Sequence, residues 1–165
     1  VLQAIEAQEP LRTSFRKLEN GRLAQIIAQS ADELAERVEI RQQRVDTLDA
    51  LHEVTLSEIQ RPFDLSLAPF VRVLVIETEG NEVIILVTMH QIIADGSSVE
   101  LFIHQILSGN TKPVTLDGEE PLQYADVAHW ERMRWITDRK FKDVEISPIE
   151  ESPTWYAFFC VLFYL

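Results

Sequence analysis

A histidine at position 90, an aspartate at 95 and a glycine at 96 lie in "TMHQIIADGSS", Thr88 to Ser98, at the end of the most hydrophobic run of the chain. Imidazole changes charge near neutral pH, so His90 at a strand end has the chemistry of a general base toward an attacking amine or alcohol. Asp95, five residues on, has the chemistry to orient that ring or to hold the loop. Gly96 allows a tight turn or a positive φ before a helix. The same residues admit a purely structural reading, because a lone histidine at a strand end is commonly a hydrogen-bonded core residue and Asp-Gly before a helix is common turn chemistry. No companion nucleophile decides between the two: Ser97 and Ser98 lie outside any G-x-S-x-G elbow, and the single cysteine, Cys160, is far along the chain.

The elements that must position this loop can be read from periodicity. Leu2, Ala4 and Ile5 predict a short helix over 1–8, closed by Pro10. Leu11 to Ala28 carries Asn20-Gly21 between two extended runs and predicts a β-hairpin. From Ala31 to Ile59 the chain is polar with scattered Leu34, Val38, Val45, Leu48 and Leu51, which suits a loop and one or two surface helices. "RPFDLSLAPF", with Pro62 and Pro69, reads as an irregular connector. Two β-branched runs then flank Glu79-Gly80-Asn81, a second hairpin, and Val83 to Val87 lacks alternation, as expected of a central strand buried on both faces. Beyond the quoted loop, Val99, Phe102, Ile103, Ile106 and Leu107 fall on one helical face, with Ser97 or Ser98 as N-cap and Gly109 as C-cap. The loop therefore joins a strand end to a helix start. "TKPVTLDGEEP" reads as a further loop, and Leu122 to Trp135 as an amphipathic helix offering Tyr124, Val127, Ala128 and Met133 to the core.

With 165 residues the chain suits one domain with a single core. A formal net charge of −12 argues against a nucleic-acid partner. The late basic run "ERMRWITDRKFK" reads first as a solvated helix face, with a docking patch for an acidic or phosphate-bearing partner as the sharper alternative. One cysteine permits no internal disulfide, no Cys/His spacing suggests zinc, and a reducing, cytoplasmic setting fits. The start, "VLQAIEAQEPLRTSF", has neither an initiator Met nor the order of a signal peptide, and reads as the middle of something longer. "WYAFFCVLFYL", Trp155 to Leu165, is too short to span a bilayer, which needs about 20 residues. It reads as a buried terminal strand or an ill-fitting tail, with an interfacial anchor as the remaining option, so no membrane partner is expected.

The motif "MHQIIADGSS" resembles the HHxxxDG motif of the condensation domains of nonribosomal peptide synthetases. "EPLRTSF" is similar to that family's arginine-containing segment before its first hairpin, "RPFDLSLAPFVRVLVI" to its Pro-Phe-Asp-Leu stretch, and "QYADVAHW" to its Tyr-x-Asp-Tyr-Ala-x-Trp helix. The segments follow the family's order over about residues 1–135. The resemblance implies an α/β chain of the α+β type, a chloramphenicol-acetyltransferase-like lobe with a mixed β-sheet and flanking helices. It also implies peptidyl or acyl carrier protein partners, whose phosphopantetheine arms bring two thioesters into a tunnel between two lobes, where an amine attacks to form an amide; no cofactor is bound directly. Carried over by position, His90 matches the first, mainly structural His, Gln91 the His at the reaction centre, Asp95 the supporting Asp and Gly96 the Gly, with Arg12 the expected ion-pair partner of Asp95.

Several positions depart from that pattern. Gln91 is a neutral amide that can position an amine but cannot take up its proton. Ser97 replaces the usual Trp, Ala7-Gln8 replaces Arg-His, the family's opening strand motif is absent, and nothing after Trp135 matches the second lobe. Residues 1–145 are thus expected to be a partial N-terminal lobe without the missing second lobe, and 146–165 an atypical apolar tail. Catalysis is expected to be impaired. The alternatives are a non-catalytic docking module for carrier or tailoring proteins and an ester-forming acyltransferase of the same superfamily.

Overall fold

Two apolar runs about Glu79-Gly80 make the centre of the molecule. The computed structural model describes residues 1–80, 82–110, 122–137 and 158–164, with only the backbone described for 135–137 and 158–164. The first helix forms as read, α1 (Leu2–Ala7), and a 3-10 turn (Glu9–Arg12) leads into the first hairpin, β1 (Thr13–Lys17) and β2 (Leu23–Ile27). Gly21 takes φ 79°, the left-handed turn conformation that glycine tolerates without a Cβ clash. A second 3-10 segment (Ala31–Arg37), β3 (Glu39–Val45) and α2 (Leu48–Gln60) follow. Then come β4 (Val71–Thr78), β5 (Val83–His90), α3 (Gly96–Ser108), α4 (Tyr124–Thr137) and β6 (Phe158–Tyr164).

The larger sheet runs β3-β4-β5-β6, parallel between β3 and β4 and antiparallel elsewhere, so it is mixed as expected. Both of its faces are covered, which is why β4 and β5 show apolar runs without alternation. Val71, Val73, Val87 and Met89 join Ile5, Leu11, Phe70 and the α3 residues Val99, Phe102 and Ile103 in one core. On the opposite face Leu74, Ile76, Ile84 and Leu86 pack with Val45 and with Leu51 and Val54 of α2. Gly109 ends α3 at φ 68°, as read from the sequence.

Three expectations change. The stretch from Ala31 to Ile59 holds a strand as well as a helix: β3 is an outer strand among the described residues, Ile40 to Arg44 are exposed, and its polar sequence carries no half-buried alternation. Leu107 is 48% exposed, off the buried stripe of α3. Helix α4 forms, but Tyr124, Val127 and Met133 are all exposed and Ala128 is only part-buried, so this helix does not enter the core. Of the apolar tail, the backbone of 158–164 forms β6, with Cys160 opposite Thr88 and Phe158 opposite His90; the strand part of the expectation holds. The loop "TKPVTLDGEEP", the part of the basic run beyond Thr137 and the boundary at 145 lie outside the described residues. Among the described residues no helix is long and apolar enough to cross a membrane.

One charged group lies deep in the sheet. Arg72 of β4 is 4% exposed; its Nε donates to Glu58 Oε1 (2.6 Å), Nη2 to the carbonyls of Glu58 (3.1 Å) and Arg61 (2.7 Å), and Nη1 to Pro62 O (3.3 Å). Desolvation draws this guanidinium down to about 10, so it stays charged at neutral pH. Arg61 bridges Glu58 and Glu39, and Arg41 pairs with Glu58 from β3. Replacing Glu58 by Leu strands Arg72 beside two further cations, and removing one partner of a buried pair costs about 3–5 kcal/mol. A urea titration of Glu58→Leu is expected to show that loss, against a much smaller one for Asp49→Ala on the exposed side of the same helix.

Candidate functional site

His90 closes β5, and its backbone is held on both sides of the peptide. Its N–H donates to Phe70 O (3.1 Å), and its carbonyl accepts from Ile93 N (3.1 Å), turning the chain sharply after the strand. The ring is 9% exposed, and its Nδ1 accepts from the Ile92 N–H at 3.0 Å. An Nδ1 that accepts keeps its lone pair inside the loop, which assigns the proton of the neutral ring to Nε2. Phe63 and Phe70 meet the ring edge-on at 6.2 and 6.5 Å. Thr88, two residues back, is fully buried and its hydroxyl has no partner among the described residues.

The turn after His90 sends the next side chain outward, so Gln91 is exposed and lines an open cleft. Asp95 ends the turn as the N-cap of α3, its Oδ1 accepting from Ser98 N (2.8 Å) and Ser98 Oγ (2.7 Å). The cap is therefore Asp95, not Ser97 or Ser98: its carboxylate reaches the third residue of the helix, the geometry that satisfies an otherwise unpaired N–H. Gly96 has neither a positive φ nor any atom within 4 Å of a Cβ built on it. It is simply the first helical residue, and the expected conformational need for glycine is absent.

The expected Arg12–Asp95 pair does not form. Arg12 ion-pairs with Glu9 (3.6 Å) and donates to the Ala28 carbonyl, clamping the 3-10 turn onto the end of β2 while Asp95 is occupied with Ser98. Gln123 makes a further tie that the sequence reading missed. Its Oε1 accepts from Glu9 N (3.1 Å), its amide donates to Ala7 O (3.4 Å), and its own N–H is accepted by Asp126 Oδ2 (3.0 Å), half of a capping box at the start of α4. The signal was present in "QYADVAHW", where the polar residues matter more than the apolar ones.

These elements enclose a cleft of about 830 Å3 between the β1–β2 hairpin, the 3-10 turn, the loop 91–95 and the start of α4. Phe15, Ile27 and Ile92 give it apolar surface, Gln8, Gln25, Gln91 and Gln123 give it neutral amides, and Glu9 and Asp95 give it carboxylates. None of its described lining residues is Lys, Arg or His. Chemically the cleft can accept hydrogen bonds from an amine and donate to a carbonyl, while the imidazole of His90 stands behind it rather than in its wall. Among the described residues no cluster of His, Cys, Asp and Glu has the makings of a metal site.

A family model described as "Condensation domain" matches residues 1–143. The chain belongs to the condensation-domain family. This condensation-domain chain is 33% identical over 145 residues to gramicidin S synthase 2 of Brevibacillus brevis, covering 86% of the chain and 3% of that protein. It is 34% identical over 132 residues to bacitracin synthase 3 of Bacillus licheniformis, covering 78% of the chain and 2% of that protein, so it spans only a small part of these relatives. Its fold matches the condensation domain from the monacolin K polyketide synthase MokA (TM-score 0.63, 24% identity, 82% of this chain and 30% of that one). It also matches the X-domain from teicoplanin biosynthesis (TM-score 0.60, 22% identity, 86% and 30%). The lobe architecture and family read from the four motifs are thereby confirmed.

The Asp95 cap carries a pH signature. Hydrogen bonds from the Ser98 side chain, then from its backbone, hold the carboxyl below its ordinary value of 3.8. A depressed carboxyl stabilises the fold above its unfolded value, and that contribution is lost as pH falls through the folded value. Asp95→Asn is expected to lower Tm near neutral pH and to converge on the parent below about pH 3.8, which a thermal-melt series across pH 2–7 measures.

Proposed function

We propose that this chain forms one wall of a condensation-type acyl-transfer site, in which an acceptor amine and a donor thioester, each carried on the phosphopantetheine of a peptidyl or acyl carrier protein, would be joined as an amide. In this reading His90 shapes the loop, Asp95 fixes its junction with α3, and Gln91 is the side chain that meets the acceptor amine. The observation that carries it is the orientation of the loop: Gln91 is exposed and lines the cleft, whereas His90 is buried with its Nδ1 engaged. A cytoplasmic setting, where carrier-dependent synthesis runs, is part of the same reading and is supported by the lone cysteine.

Gln91 makes the site a positioning one. A carboxamide orients an amine by accepting its N–H but leaves the proton to water, and loss of a general base typically forfeits about 10²–10⁴-fold in rate. A second reading, a docking module for carrier or tailoring proteins, is favoured by the apolar side chains that α4 and its lead-in leave exposed, Leu122, Tyr124 and Trp130 at 82%, 58% and 58%.

The two separate in an amide-formation assay with loaded donor and acceptor carriers and a condensation-domain C-terminal lobe supplied in trans. Acyl transfer predicts that Gln91→His raises the product rate by about 10²–10⁴-fold over the unmodified chain. Equal rates would show that no proton acceptor is needed at position 91. Tight carrier binding with no product from either form would favour the docking module.

A further inference from the structure

Helix α3 buries a polar side chain that no described residue satisfies. Gln105 is 6% exposed, one turn along α3 from Phe102, and no described residue bonds its amide. Its Oε1 and Nε2 are not among the described polar atoms sealed from solvent without a partner, so the amide is reached from the open space beside it. Gln105 lines a cavity of about 90 Å3 walled by Leu11, Met89, Ile93 and Phe102. Gln8 and Ser98 also line it, and both belong to the wall of the large cleft as well, so the small cavity adjoins the cleft.

We propose that this cavity is a side pocket that receives a primary carboxamide of acetamide size, paired to the amide of Gln105. Its volume is about three times the roughly 30 Å3 that a water molecule occupies in the liquid, enough for a group of about four heavy atoms. The chemistry of the lining selects the class. Gln105 presents a carbonyl acceptor and an NH2 donor side by side, and a second carboxamide meets both at once. A carboxylate meets only the donor and opposes the carbonyl, and an ammonium does the reverse. Either ion would also surrender its hydration to walls in which no described lining residue is ionisable. Assigning that carboxamide to a substrate side chain rests on the cleft being the passage for substrates; the existence of the pocket does not.

The test is a titration of the ¹⁵N-labelled 165-residue chain with acetamide, acetate and methylammonium, followed at the side-chain NH2 resonance of Gln105. The proposal expects a saturable shift with acetamide, none with acetate or methylammonium, and loss of the acetamide response in Gln105→Leu. No saturable shift with acetamide, an equal response to either ion, or an acetamide response that survives in Gln105→Leu would each overturn it. If Gln105→Leu does not fold, the comparison of acetamide with the two ions on the parent chain decides alone. A negative acetamide titration removes the pocket and leaves the outcome of Gln91→His untouched. Failure of the acyl-transfer reading, in turn, leaves acetamide binding intact and withdraws only the substrate assignment.

Discussion

A guanidinium buried in a sheet needs acceptors, and Arg72 finds four: the Glu58 carboxylate and the carbonyls of Glu58, Arg61 and Pro62. All four lie at the end of α2 or the start of the connector to β4, so burying Arg72 dictates where that connector begins. The next residue, Phe63, lies with its ring 3.8 Å from the Arg72 guanidinium and meets His90 edge-on. The connector ends at Phe70, whose carbonyl takes the His90 N–H. One ion pair thus fixes both ends of the segment that packs against His90 and its loop. An apolar pair of the same volume would often be as stable, so the value of the Arg72–Glu58 pair lies in specifying one path for the chain.

With His90 pinned, the loop has little choice. The ring accepts from Ile92 and the backbone turns back on itself, so position 91 points into the cleft and position 95 reaches the first turn of α3. That division explains why two neighbouring residues of one motif contribute different chemistry. The residue behind the wall supports, and the residue in the wall meets whatever enters. A change of side chain at 91 leaves the scaffold undisturbed, because nothing in the loop's hydrogen bonding uses it.

The legible parts of the fold were those where local chemistry and tertiary context agree. Both hairpins were marked by turn residues, Asn20-Gly21 and Glu79-Gly80, and the two-sided burial of β5 was written in an apolar run without alternation. β3 was not legible, because an outer strand can keep polar side chains along almost its whole length. Helix α4 was read correctly as a helix and wrongly as core, since its periodicity says which residues share a face and not whether anything covers that face. In the site, His90, Gln91 and Asp95 were found through one motif, but their partners were not. Arg12 was paired with Asp95 on chemical plausibility, and only three-dimensional contacts show it spent on Glu9 and Ala28 and Asp95 spent on Ser98. Gln105 carries no sequence signal of its own, and the capping signal in "QYADVAHW" marks Gln123 without naming its distant partners Glu9 and Ala7.

The central claim is that Gln91 meets the acceptor while His90 holds the loop from behind. Side-chain ¹⁵N spectra of the chain, recorded before and after addition of an aminoacyl-pantetheine, test it most directly. The account predicts that the NH2 resonance of Gln91 shifts on addition, while His90 shows its proton on Nε2 and an Nδ1 signal unchanged by the ligand. A His90 ring with the proton on Nδ1, or one that responds to the aminoacyl-pantetheine while Gln91 stays silent, would contradict it.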